Sequence, residues 1–190
     1  MSGLRVEGLR ANLPGNSFAL ADISFILEAG EICALIGPNG AGKTTALRSL
    51  LGFVPATWRR AEAGGQILGE LGPRARAKCL SYLPQARDIA WPINALSLVA
   101  LGRFPHGEPS AAGLDKAREW LDALALSEFA ARNVQTLSGG ELALVLLARA
   151  LAVEAPVLLA DEPVAALDPA LQLRAMGILK SQAHAGKTIL

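Results

Sequence analysis

Cysteine is scarce: Cys33 and Cys79 are the two in 190 residues. Each stands beside aliphatic residues in a strand-like run, which suits free buried thiols in a reducing compartment better than a disulfide framework. A zinc-cysteine set, long coiled-coil heptads and a basic face are all missing, which disfavours a protein acting on DNA or the ribosome. Charge of one sign is lacking too. Eighteen Lys and Arg against 17 Asp and Glu leave a net +1, so no global field argues for nucleic acid or an anionic membrane surface. Any bound anion must be held by a local site. The stretch Met1 to Arg10 has no basic region followed by an apolar run, so no secretory signal is visible and a cytoplasmic protein is expected. No internal repeat or low-complexity tract occurs. An uninterrupted membrane span is also absent. Leu142 to Ala160 has about the length of one, but Arg149 and Glu154 would be costly in lipid and Pro156 would end the helix. That segment reads as a buried helix, a turn and a buried strand.

What is present is apolar bulk: 52% hydrophobic residues, enough for a substantial core in one domain or a domain with a subdomain. Leu13-Pro14-Gly15-Asn16 is a turn signal, and Ile23 to Leu27 and Ile32 to Ile36 read as strands. Gly37 to Gly42 follows, and then a helix from Lys43 to Leu51 stopped by Gly52. Ile67 and Leu68 suggest a short strand, and Cys79 to Leu83 a clearer one. Leu and Ala at helical spacing over residues 96–131 predict a mostly helical section, interrupted by Pro105, Pro109 and Gly113. The last third predicts a helix at Leu142 to Ala152, a strand at Val157 to Ala160, a helix at Pro169 to Ala185, and a strand starting at Thr188.

Three constellations carry chemistry. Gly37-Pro-Asn-Gly-Ala-Gly-Lys43-Thr44 matches the phosphate-binding pattern G-x-x-x-x-G-K-[ST] between an expected strand and a helix N-terminus. Glycines let backbone N–H groups turn towards phosphate oxygens, the helix adds unpaired donors, Lys43 adds a mobile charge, and Thr44 can place its hydroxyl on Mg²⁺. Val157-Leu-Leu-Ala-Asp161-Glu162 puts two carboxylates at the C-terminal end of an apolar strand, where ligands bind in open α/β sheets. Asp161 is placed to hold the metal shell and Glu162 to orient or deprotonate water. Taken alone, Asp-Glu-Pro is more often an acidic helix start. Leu137-Ser138-Gly139-Gly140-Glu141 opens the apolar helix; Ser138 and the glycine N–H groups can cap it or hold a phosphate.

The order phosphate loop, Leu83-Pro84-Gln85, Leu137 to Glu141, Asp161-Glu162 resembles the ATP-binding-cassette (ABC) ATPases over essentially the whole chain. That resemblance implies an α/β fold: a P-loop NTPase core of mostly parallel sheet with helices, an N-terminal antiparallel β subdomain, and an α-helical signature subdomain at about 86–150. It implies one nucleotide-binding domain over 1–190. It implies that Gly37, Pro38, Asn39, Gly40, Ala41, Gly42, Lys43, Thr44 and Thr45 bind ATP, with Ser138, Gly139 and Gly140 as the signature. Thr44, Gln85 and Asp161 would hold Mg²⁺, Glu162 would be the catalytic base with Lys43 and Gln85 beside it, and Asp168, before Pro169, would lie at a dimer interface. Without the parallel, Gln85 reads as an exposed amide and Asp168 as a helix cap. The implied partners are a second copy of the chain and transmembrane permease subunits, with no nucleic acid. The implied activity is ATP hydrolysis powering transport, on the cytoplasmic face of the membrane. Val99-Ala-Leu-Gly-Arg-Phe-Pro-His106, preceded by Trp91-Pro92, looks like importers of iron chelates, haem and cobalamin; it reads equally as a helix C-terminus with His106 exposed.

Several positions depart from the family pattern. No aromatic residue stands clearly where relatives stack adenine, and Phe18 lies somewhat close to the loop. Leu142 and Leu144 replace polar or basic residues, giving a helix start that needs burial on nearly every face. The chain ends at Gly186-Lys-Thr-Ile-Leu190, where relatives continue into a histidine on the γ-phosphate, and His184 precedes that point. Truncation at the C-terminus is therefore expected. The competing expectations are a catalytically impaired nucleotide-binding module and a soluble non-transport cassette ATPase.

Overall fold

The computed structural model describes residues 2–12, 19–85, 88–107, 111–165 and 167–190. The expected turn at residues 13–16, together with Phe18, Pro109 and Ala166, lies outside them. In chain order the elements are β1 (Ser2–Asn12), β2 (Ala19–Glu28), α1 (Lys43–Leu51), β3 (Ala56–Thr57), β4 (Arg60–Ala63) and β5 (Gln66–Ile67). Then come α2 (Pro73–Cys79), β6 (Leu80–Leu83), α3 (Ala95–Ala100), α4 (Ala111–Ala123), α5 (Gly139–Ala152), β7 (Val157–Ala160), α6 (Pro169–His184) and β8 (Thr188–Ile189).

The strands form two sheets. The antiparallel one has the order β2-β1-β4-β5, with β3 also on β1; the parallel one has the order β6-β7-β8. Both sheets that the resemblance implies are therefore present. Strand β7 lies between two cores and shows why its sequence is continuously apolar. Leu158 packs into a helical core with Leu98, Leu121 and Leu151, while Val157 and Leu159 pack with Leu4, Leu47 and Leu50 of the antiparallel sheet and α1. Alternation of side chains along a strand sends neighbours to opposite faces, so four residues tie the two cores together.

Helix α5 meets the burial that its sequence demands: every residue from Ala143 to Ala148 is buried, as are Ala150, Leu151 and Ala152. Leu144 is 2% exposed, whereas Leu142 packs only partly against the same core. A 3₁₀ turn, Leu101–His106, extends α3 and clamps the far end of α5. Arg103 donates to Ala152 O at 2.9 Å and to the Glu154 carboxylate at 2.7 Å, and His106 Nε2–H donates to Val153 O at 2.8 Å. These bonds claim carbonyls that a helix end leaves unpaired. His106 is thus a half-buried C-terminal cap rather than an exposed loop residue.

Four expectations need correction. Residues 32–36 do not form a strand: Ile32 makes an isolated parallel bridge to Ile189, and Leu35 and Ile36 are 38% and 89% exposed. The segment is hydrogen-bonded to β8 at one end, through Cys33 N–H to Ile189 O at 2.9 Å, and no named strand among the described residues pairs with its other edge. Cys33 is consequently exposed, while Cys79 is buried as expected. Leu68 begins a 3₁₀ turn rather than continuing β5, and Gly113 sits buried inside α4 without interrupting it. Among the described residues no helix is long and apolar enough to cross a membrane.

Candidate functional site

Helix α1 starts at Lys43 because Gly42 takes the left-handed conformation, φ 88°, that turns the chain out of the preceding loop. No side chain caps this N-terminus, so its first-turn N–H groups remain available to an external acceptor. Gly40, φ 82°, adds a second left-handed turn. Lys43 folds back over the loop and donates to Gly37 O at 2.7 Å and to Pro38 O at 3.0 Å. A triphosphate would replace those two carbonyl acceptors with stronger, charged ones. The uncapped helix end, after a loop turned by Gly40 and Gly42, fits an anionic guest.

The end of β7 meets this loop. Asp161 is 4% exposed, and both carboxylate oxygens are taken: Thr44 Oγ1–H donates to Oδ1 at 3.0 Å and Tyr82 O–H to Oδ2 at 3.2 Å. Its backbone N–H donates to Leu83 O at 2.9 Å, continuing the β6–β7 pairing that brings Tyr82 alongside. Burial raises the pKa of the Tyr82 phenol, so it stays a donor at neutral pH. Tyr82 carries no motif; its only sequence signal is a hydroxyl at the end of a short apolar strand that leads to Gln85.

Glu162 follows at φ 51°, a left-handed conformation that a non-glycine residue adopts at a cost, held by Ala165 N–H to Glu162 O at 3.1 Å. Its exposed carboxylate accepts from Gln85 Nε2–H at 2.7 Å. Residues 117 positions apart (Thr44, Asp161) and 77 apart (Gln85, Glu162) therefore converge at the ends of β6 and β7 and the start of α1. A hydroxyl, a carboxylate and an amide with room for phosphate oxygens is a hard-oxygen donor set that suits Mg²⁺. Among the described residues no group of three His, Cys, Asp or Glu side chains could hold a metal ion.

Ser138 to Gly140 and Asp168 sit elsewhere. Ser138 Oγ accepts from Glu141 N–H at 3.3 Å while the Glu141 carboxylate accepts from Ser138 N–H at 2.7 Å, a reciprocal capping box on α5. The Ser138 backbone N–H, and after it the Ser138 hydroxyl, hold the Glu141 carboxyl below its ordinary pKa. Asp168 caps α6 by accepting from Leu171 N–H at 3.0 Å. Gly140 packs against Leu171 and Leu167, so the two caps adjoin. No hydrogen bond joins Ser138, Gly139 or Gly140 to residues 37–45 among the described residues. Pro38 and Asn39 are exposed, and Thr45 is half-buried on α1.

A family model for ABC transporters matches residues 20–165, more than half of the chain, including the phosphate loop, Gln85, Ser138 to Glu141 and Asp161-Glu162 but not Asp168. The chain belongs to the ABC transporter family. It is 36% identical over 185 residues to the cobalamin import ATP-binding protein of Halobacterium salinarum, covering 95% of this chain and 46% of that protein. It is 38% identical over 186 residues to the hemin import ATP-binding protein of Streptomyces coelicolor, covering 96% and 66%. The chain thus spans less than half of the first relative's length. Among solved structures it resembles a metal-chelate type ABC transporter in an inward-facing conformation, with a TM-score of 0.80 and 29% identity over 100% of this chain and 72% of that one. Its fold is that of an ABC ATPase cassette.

Proposed function

We propose that this chain binds ATP with Mg²⁺ and hydrolyses it to drive transport, as the membrane-peripheral cytoplasmic subunit of an importer. The observation that carries this reading is the convergence of Thr44 with Asp161 and of Gln85 with Glu162 at the mouth of the phosphate loop. Residues 37–45 would wrap the triphosphate with backbone N–H groups and Lys43. Thr44, Asp161 and Gln85 would hold Mg²⁺, which when bound offsets phosphate charge. Glu162 would take a proton from water as the water oxygen attacks the γ-phosphorus and the bond to the β,γ-bridging oxygen breaks, giving ADP and phosphate. Such a base contributes typically 10²- to 10⁴-fold in rate.

Residues 86–150 serve in this reading as a helical signature subdomain within one nucleotide-binding domain. Ser138, Gly139 and Gly140 act on the nucleotide of a second copy, with Asp168 at the shared interface. What supports this is that the capping box uses the N–H groups of Ser138 and Glu141 and leaves those of Gly139 and Gly140 to an outside acceptor. Nucleotide then favours the closed pair through its greater affinity for that arrangement. Permease subunits would dock on the section from Gln85 to His106. The names of the relatives support cargo of the cobalamin or haem type.

Glu162→Gln tests the reading. Nucleotide affinity should persist while turnover falls at least a hundredfold; unchanged turnover would remove Glu162 from this role. Absent turnover in the unsubstituted chain, with binding intact, would favour a binding module without hydrolysis.

A further inference from the structure

Asp161 is held by two hydroxyls that belong to different parts of the fold. Thr44 Oγ1–H, in the first turn of α1, donates to Oδ1 at 3.0 Å, and Tyr82 O–H, on β6, donates to Oδ2 at 3.2 Å. Asp161 is 4% exposed, so each bond matters: a buried carboxylate oxygen without a donor is costly. A carboxylate offers about four lone-pair sites, which leaves about two for a cation after both bonds are made. The nucleotide site needs those two on the side of the phosphate loop.

The backbone fixes where the Asp161 carboxylate sits but not how it is turned, because the terminal torsion of an aspartate is broad and roughly two-fold. Thr44 is a poor fixed point, since its hydroxyl oxygen is itself among the groups proposed to hold Mg²⁺. Tyr82 has no such second duty. Arg48 of α1 hydrogen-bonds the phenol oxygen, and a guanidinium only donates, which leaves the phenol hydrogen to the carboxylate.

The Tyr82 ring is fixed by packing outside the phosphate loop. Tyr82 pairs with Leu159 in parallel register, and Asp161 N–H donates to Leu83 O at 2.9 Å, so donor and acceptor ride on adjacent, hydrogen-bonded strands. Phe53 packs edge-on to the ring, with centroids 6.4 Å apart and planes at 74°. Ser81, the preceding residue, shows a hydroxyl whose work is internal. It is buried and donates to Val157 O at 3.4 Å within the same strand pair.

We propose that Tyr82 is a positioning residue for the metal: by pinning Oδ2 of Asp161 it keeps Oδ1 turned to Thr44 and the phosphate loop, where Mg²⁺ would be held. The inference rests on the Mg·ATP reading and adds to it the group that orients the carboxylate. Hydrogen-bond partners behind a metal ligand are typically worth roughly 10- to 100-fold in metal affinity. Loss of the Tyr82 hydroxyl should therefore be felt with Mg²⁺ present and not without it.

The test uses the full chain, Tyr82→Phe and Ser81→Ala. ATP is titrated calorimetrically at a series of Mg²⁺ concentrations and again with the metal chelated. In Tyr82→Phe the Mg²⁺ concentration that half-completes the gain in ATP affinity should rise roughly 10- to 100-fold, while the affinity without metal stays within about twofold of the unsubstituted chain. Ser81→Ala should leave both where they are. Mn²⁺ in place of Mg²⁺, followed by its paramagnetic resonance in the presence of ATP, should be held more weakly by Tyr82→Phe to the same degree.

Tyr82 is the only tyrosine of the chain, so isotope-labelled tyrosine gives the ring a signal of its own in nuclear magnetic resonance. That signal should move when Mg²⁺ is added to the ATP-saturated chain and stay in place when Mg²⁺ is added to ATP-saturated Asp161→Asn. Circular dichroism checks that the variants are folded, and the ring signal of the unsubstituted chain decides the matter if Tyr82→Phe is not. An unmoved signal, an unchanged Mg²⁺ requirement in Tyr82→Phe, or equal weakening with and without metal overturns the role of Tyr82 and leaves the Mg·ATP reading in place. ATP binding that Mg²⁺ fails to strengthen in the unsubstituted chain removes that reading and the role of Tyr82 with it.

Discussion

Replacing Leu144 by Ala removes a side chain that is 2% exposed at the start of α5, within a helix whose neighbours on every face are buried. A site enclosed on all sides cannot collapse onto the space left behind, so both the transfer free energy and the cavity contribute, about 3 to 4 kcal/mol together. In a chain of this length about 1 kcal/mol shifts the melting temperature by roughly 2 to 4 °C, so Leu144→Ala should lower it by about 6 to 16 °C. Leu142 lies two residues earlier and only partly against the core. Leu142→Ala should cost about 1 kcal/mol and move the melt by about 2 to 4 °C. Thermal unfolding followed by circular dichroism, at one protein concentration without nucleotide, reads both. Equal losses at the two positions would refute burial, rather than helix propensity, as what decides which of these leucines α5 needs.

Three further outcomes follow from capping and burial. Ser138→Ala should cost about 0.5 to 2 kcal/mol through loss of the helix cap. Because the folded-state pKa of Glu141 is depressed, its contribution is present above the ordinary glutamate pKa of roughly 4.3 and is lost as pH falls through the lower folded value. The melting difference between the unsubstituted chain and Glu141→Gln should therefore be larger at pH 7 than at pH 3, and a pH-independent difference would contradict the capping box. A maleimide added to the native chain should label Cys33 and spare Cys79, whose thiol is buried and pushed up in pKa by that burial; mass spectrometry showing Cys79 labelled first would contradict the exposure assigned to each.

The parts of the fold legible in the sequence are those whose signals are local. Helix α1 runs from Lys43 to Leu51, with the glycines at 42 and 52 supplying the left-handed conformations that start and stop it. Ser138, Glu141, Asp168 and Pro169 likewise mark where α5 and α6 begin. Strand β1 was less visible because register shifts between Val6 and Leu9 break its alternation, with Gly8 lying under the Arg59 side chain. Helix α2 hid in a stretch rich in arginine, where only Pro73 at its first turn signals a helix. Residues 32–36 have the composition of a buried strand, yet burial needs neighbours on both sides, which composition cannot supply. The same holds in the site. The types of Thr44, Asp161, Gln85 and Glu162 follow from motifs, whereas the Tyr82 hydroxyl on Asp161 depends on chain segments brought together only by folding.

Residues 37–45 and the acidic end of β7 together are proposed to hold Mg·ATP. Calorimetric titration of ATP, with and without Mg²⁺, into the unsubstituted chain, Lys43→Ala and Asp161→Asn decides the point. Binding should be strengthened by Mg²⁺ in the unsubstituted chain, lost in Lys43→Ala, and indifferent to Mg²⁺ in Asp161→Asn. Nucleotide binding in Lys43→Ala equal to that of the unsubstituted chain, with the Mg²⁺ response intact in Asp161→Asn, would contradict it.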